Sequence, residues 1–126
     1  MSTTRKGTRF ELEVAHHLTT HGWVAARLAS TGGGDHGDVW AVHPTDMVMV
    51  ECKSSGRGAA ACGPDQWNRL YTAALRAGAT PILATRQHGR LAGDTPRIRY
   101  WRITDRKTGR PGAPPPMDPW NPEVPS

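Results

Sequence analysis

The chain has 126 residues, a net charge of +5 and two cysteines, which limits it to one compact domain and excludes a disulfide scaffold or a four-cysteine zinc site. A hydrophobic fraction of 37%, with 14 glycines besides, lies in the globular range and argues against a disordered chain. No stretch approaches the ~18 apolar residues of a membrane span, and residues 1–9 are polar without an apolar signal segment, so the expected setting is the reducing cytoplasm, with no membrane partner.

The excess of positive charge is unevenly placed. Residues 1–104 hold 13 Lys and Arg against 8 Asp and Glu, whereas 105–126 hold three of each. A basic folded part favours a polyanion through phosphate neutralisation and counterion release. Charge alone does not single out nucleic acid.

Residues 8–21 carry Phe10, Val14, Leu18 and His21 at helical spacing and predict a helix. Thr8 and Glu11 form a capping-box pattern at its start, and Gly22 is its natural stop. Residues 23–30 read as a strand, 31–37 as a glycine-rich loop, 38–43 as a short strand and 43–46 as a turn. The apolar run 47–52 predicts a strand buried on both faces. After a loop rich in Gly and Ala, residues 64–77 predict a second helix with Trp67, Leu70, Tyr71, Ala74 and Leu75 on one face. Residues 80–85 read as an apolar strand and 97–104, by their alternation, as an outer strand. The order α-β-β-β-α-β-β predicts an α/β fold with a mixed central sheet. From Pro111 to Ser126 there are seven prolines in sixteen residues, which remove backbone donors. Residues 105–126 are therefore expected to be an extended, mostly disordered and dispensable tail outside a domain of 1–104, with Trp120 able to pin it to the body.

Three acids and a lysine fall where chemistry could use them. Asp38 opens the second strand, and Glu51 and Lys53 close the third. Two residues apart on a strand means one face, so Glu51 and Lys53 point together. A hairpin about Pro44 would bring Asp38 near Glu51, with the Cys52 carbonyl at the same edge. Two carboxylates and a carbonyl make an all-oxygen site suited to Mg²⁺ or Mn²⁺, a neighbouring lysine can orient a water, and Glu11 could add a further carboxylate. The plainer reading is an ion pair at a strand end. The buried run before Glu51 weighs against it, because a charge there is costly unless paired or used.

The arrangement also resembles a known family. Arg5-Lys6-Gly7-Thr8-Arg9-Phe10-Glu11 is similar to the opening R-K-G-x-x-x-E of the archaeal-type Holliday junction resolvases, of the PD-(D/E)XK nuclease superfamily. Gly22-Trp23-Val24 with Arg27 and Ser30, Gly37-Asp38-Val39, Val50-Glu51-Cys52-Lys53-Ser54, the Gln66 to Leu70 segment and Gly78-Ala79-Thr80-Pro81-Ile82-Leu83-Ala84 resemble its further motifs in order, over residues 5–104. The resemblance implies a restriction-endonuclease-like core and a Mg²⁺- or Mn²⁺-dependent endonuclease that cuts four-way DNA as a homodimer. It implies Glu11, Asp38, Glu51 and Lys53 as catalytic residues, and Glu11, Asp38, Glu51 and Cys52 at the metal. It further implies Arg5, Lys6, Arg9, Arg27, Ser30, Thr31, Arg57 and Gln66 on DNA. Gln66 could equally serve its helix start. The alternatives are a restriction or repair nuclease on the same fold, or a non-catalytic nucleic-acid-binding module.

Several other patterns are decoys. Gly32 to Gly37 satisfies G-x-G-x-x-G, but a strand follows where dinucleotide binding needs a helix. His17 and His21 have the i, i+4 spacing of helical zinc pairs, yet no third ligand is evident, so a solvated face is expected. Trp23, Trp40, Trp67 and Trp101 are expected in the core rather than stacked on bases, although Trp67, Tyr71 and Trp101 are also candidates for a subunit contact.

Overall fold

The computed structural model describes residues 2–28, 37–55, 58–89, 91–93, 97–106 and 112–123, without the side chains of 2–7, 60 and 61. Its spine is the apolar run in mid-chain, which forms strand β3, Asp46–Lys53. Helix α1 is Ser2–Thr20, β1 Val24–Arg27 and β2 Val39–His43; α2 is Pro64–Ala77, β4 Thr80–Arg86, β5 Ile98–Ile103 and β6 Met117–Trp120. The six strands lie in the order β1-β2-β3-β4-β5-β6. Only β3 and β4 run parallel, and the other neighbours are antiparallel. A parallel neighbour requires a crossover, and α2 supplies it.

The alternation of β3 divides the core. Val48 and Val50 face α1, where they pack with Phe10, Val14, Leu18 and Ile82. Met49 faces α2 and packs with Trp67, Leu70, Ala74 and Leu83. Phe10, Val14 and Leu18 recur every fourth residue, so α1 presents one apolar stripe to the sheet. Helix α2 opens with Pro64, whose missing N–H costs nothing at a first helical position. It ends at Gly78, in the left-handed region at φ 70°, whose N–H closes the last turn on Leu75.

Two expectations need correction. Helix α1 begins at Ser2, so Thr8 is interior rather than a cap; its hydroxyl lies 3.4 Å from Arg27 Nη2. More importantly, the proline-rich segment is not wholly an extended tail. Residues Met117–Trp120 form β6 on β5, with Tyr100 opposite Trp120, so β5 is not the outer strand. Proline lacks a ladder donor and is tolerated on an edge strand, which accommodates Pro119. The Trp120 ring packs on Trp23 and Tyr100, at 5.8 and 5.6 Å between centroids. The Trp23 indole N–H donates to the Pro122 carbonyl at 2.8 Å, tying residues 99 positions apart. Trp120 thus acts as the pin that the sequence allowed for, and its strand comes with it.

These contacts predict that removal of 117–126 destabilises the fold instead of sparing it. Trp120→Ala should cost about 2 kcal/mol, a partly exposed aromatic losing less than a fully buried one. Urea denaturation followed by circular dichroism measures it; an unchanged midpoint would show that β6 adds nothing to stability.

Candidate active site

The site lies at the C-terminal end of β3. The β2–β3 register ends with Val39 beside Val50, and the next step brings the Asp38 side chain next to Glu51, whose pKa it raises. Backbone contacts lock that step. The Asp38 N–H donates to the Val50 carbonyl at 2.7 Å, and the Leu28 N–H donates to the Asp38 carbonyl at 2.9 Å. Gly37 makes the approach possible: its φ is 76°, and a Cβ there would stand 2.9 Å from the Val50 carbonyl oxygen. Only glycine combines that conformation with that clearance.

The side chains are held as firmly. The Cys52 N–H donates to Asp38 Oδ2 at 2.8 Å. The Gln66 amide donates to Glu51 Oε2 at 2.7 Å, and the buried Cys62 thiol donates to Gln66 Oε1 at 3.7 Å. Lys53 Nζ is 3.9 Å from Glu51 Oε2, on the same face as expected. Glu11 reaches in from α1 and is held by Arg27, whose Nε donates to it at 2.8 Å.

The electrostatics show the cost of this crowding. Glu51 is 8% exposed. Burial first, then the neighbouring Asp38 carboxylate, pushes its pKa up to about 8, with Lys53 opposing and Glu11 adding to the rise. Glu11 is raised too, by burial and then by Asp38, against the pull of Arg27. A buried acid held up by other acids is stabilised by an added cation, and the facing donors, Asp38 and Glu51, are oxygens that suit a hard divalent ion. The residues present therefore fit such an ion. Among the described residues, no three Asp, Glu, His or Cys side chains converge as a ready-made cage, so water would complete the coordination.

The sequence-predicted residues thus divide. Asp38, Glu51, Lys53 and the Cys52 backbone come together, with Glu11 beside them. Arg27 turns to Glu11 and Thr8, and Gln66 turns inward to Glu51, the role that sequence reasoning missed. Its signal was a polar residue in the first turn of a helix that follows the acidic strand. Arg9 is exposed on α1. The side chains of Arg5 and Lys6, and all of Ser30, Thr31 and Arg57, lie outside the described residues, as does the loop 31–36. The histidines His17 and His21 are half-buried: His17 Nδ1 hydrogen-bonds the Tyr100 hydroxyl at 2.9 Å, and His21 Nδ1–H donates to the His17 carbonyl at 2.9 Å. Trp67 is fully buried and so unavailable for a subunit contact.

Comparisons with known proteins give the family and the fold. Residues 2–108 match the sequence profile of the archaeal Holliday junction resolvases, Hjc. Among solved structures, the chain is similar to the 1.6 Å structure of Archaeoglobus fulgidus Hjc, a Holliday junction resolvase from an archaeal hyperthermophile. That likeness has 24% identity, a TM-score of 0.59 and coverage of 75% of each chain; at this identity it speaks for the fold. No curated protein sequence matches the chain.

The raised pKa of Glu51 has a stability consequence. Its folded value of about 8 exceeds its ordinary 4.5, so its contribution is fully present below about pH 4.5 and is lost as pH rises through about 8. In chelator, the part of stability due to Glu51 should fall across that window. Glu51→Gln should flatten the fall and raise the denaturation midpoint at pH 8. Parallel wild-type and variant curves would contradict this account of the site.

Proposed function

The chain belongs to the archaeal Holliday junction resolvase family, a family of endonucleases, and from that premise we propose that the β3-edge cluster hydrolyses phosphodiesters of four-way DNA. The observation that carries the assignment is the meeting of Asp38, just before β2, with Glu51 on β3, and Lys53 on the same face as Glu51. A non-catalytic binding module has no use for clustered acids that repel phosphate, nor for a buried glutamate raised to about 8.

Each residue has a task. Asp38, Glu51 and the Cys52 carbonyl would hold a Mg²⁺ or Mn²⁺, with Glu11 close by. A divalent ion bound there supplies charge stabilisation at the scissile phosphate and acidifies a water. Lys53, an ammonium with three donors, orients the attacking water and meets the charge that develops on the phosphoryl oxygens. The Cys52 N–H fixes the Asp38 carboxylate, and Gln66 fixes that of Glu51. These preset bonds spare the site reorganisation at the moment of reaction. Arg27 holds Glu11 toward the cluster and balances its charge. Arg9, exposed on α1, adds a positive charge for the DNA backbone, and Arg5 and Lys6 are assigned the same task from the sequence alone.

A junction presents two symmetry-related strands, and a two-fold homodimer offers two matching sites. Neither cysteine is in a disulfide, and the reducing cytoplasm is proposed as the setting. Among the described residues, no helix is long and apolar enough to cross a membrane.

A cleavage assay on a synthetic four-way junction beside linear duplex tests this reading. Cutting should require Mg²⁺ or Mn²⁺, stop in chelator and favour the junction. Asp38→Asn, Glu51→Gln and Lys53→Ala should each lower the rate at least ~10²-fold with junction binding retained. Light scattering should give a dimer. Equal nicking of linear and branched DNA by a monomer would reject junction resolution and leave a general nuclease.

A further inference from the structure

The two rows of residues that end the sheet extend beyond the acidic cluster. The parallel register sets Glu51 beside Leu83 and Lys53 beside Thr85. The next strand continues both rows, with Leu83 beside Trp101 and Thr85 beside Arg99. Glu51, Lys53, Trp101 and Arg99 therefore share the α2 face of the sheet, and Arg99 ends the row that Lys53 begins. Two strand spacings separate them, about 10 Å. Along one DNA strand that corresponds to the rise of roughly three nucleotides.

Arg99 is also held ready. Its guanidinium carbon sits 4.7 Å from the centre of the Trp101 ring, a cation–π stack. The Trp101 indole N–H donates to Thr85 Oγ1 at 3.2 Å, and Thr85 is buried in the row itself. A guanidinium lying on a ring keeps its in-plane N–H donors free for a planar or tetrahedral anion. Three other arginines differ. Arg27, Arg86 and Arg102 each face a carboxylate, from Glu11, Glu13 and Asp118. Arg99 is exposed and, among the described residues, makes no ion pair. A cation that is oriented, exposed and unneutralised on the active face is complementary to a second phosphate.

We infer that Arg99, positioned by Trp101 and through it by Thr85, forms a phosphate subsite that grips the cleaved DNA strand within about three nucleotides of the scissile bond. Nothing in the sequence pattern marks this residue, because it is adjacent to Lys53 only across two strand pairings. The inference rests on the proposed placing of DNA at the β3 edge and adds the direction in which one strand leaves it, toward β5. Trp101 and Thr85 are positioning residues: they touch no DNA and act by fixing where the guanidinium points.

The test measures binding of a four-way junction in Ca²⁺ by fluorescence anisotropy across a salt series. Arg99→Gln should weaken binding several-fold and lower the salt slope by about 1, equivalent to a three- to fourfold smaller affinity loss between 50 and 200 mM salt. Arg99→Lys should restore the slope but only part of the affinity, since charge returns without the stack. Trp101→Leu should weaken binding while keeping the full slope. A junction with neutral methylphosphonates one to three nucleotides from the cut should bind wild type more weakly than the native junction, and should bind Arg99→Gln no more weakly than that. Thermal melts confirm that each variant is folded; should Trp101→Leu fail to fold, the Arg99 variants and the neutral backbone still decide. Wild-type affinity and slope in Arg99→Gln, or an equal methylphosphonate penalty in both proteins, would overturn the subsite while leaving Asp38 and Glu51 in place. Failure of the wild type to bind either junction or duplex would overturn the placing of DNA as well.

Discussion

The pairing of β2 with β3 is the constraint on which the site depends. A register has no intermediate settings: a slip of one residue turns every side chain to the opposite face. With Val39 beside Val50, Asp38 comes next to Glu51, the Cys52 amide reaches Asp38, and Val48 and Val50 still fill the α1 side. The hydrophobic pattern of β3 that stabilises the fold therefore also sets the spacing of the acids. Gly37 marks where the constraint is tightest, since its backbone passes the Val50 carbonyl too closely for any side chain.

The charges at this edge are unfavourable to the fold by themselves. Burial and mutual repulsion raise Glu51 and Glu11, and Lys53 and Arg27 offset that only in part. The sheet supports the cluster because the surrounding core is apolar on both sides of β3 and the cluster's carboxylates are hydrogen-bonded. The Cys62–Gln66–Glu51 chain is the clearest case. It carries the orientation of a buried thiol through an amide to the Glu51 carboxylate, so Cys62 and the first turn of α2 fix where that carboxylate points.

Much of this was legible in the sequence, for identifiable reasons. Phe10, Val14 and Leu18, the mid-chain apolar run and the Pro64–Gly78 bracket have local periods and local stops, so α1, β3 and α2 emerge near their proper places. Glu51 and Lys53 share a face by alternation alone. The rest depends on contacts remote in sequence. Gln66 is one polar residue among several until the α2 crossover lays it over Glu51. Met117–Trp120 has the composition of a tail, and it becomes a strand because β5 offers an unpaired edge and Trp23 and Tyr100 offer rings to Trp120. Proline content predicts poor ladder donors; it does not predict that one edge needs few of them.

That late strand also sets the order in which the molecule can be completed on the ribosome. The acids, Lys53, Gln66 and both helices are all made before residue 78, and β4 and β5 follow by residue 103. The strand that closes the sheet, and the Pro122 carbonyl that receives Trp23, are made after both helices and every other described strand. A nascent chain thus presents its full acidic edge while β5 is still an open template for pairing with other strands. Synthesis of β6 and Pro122, rather than assembly of the cluster, is the step that covers β5.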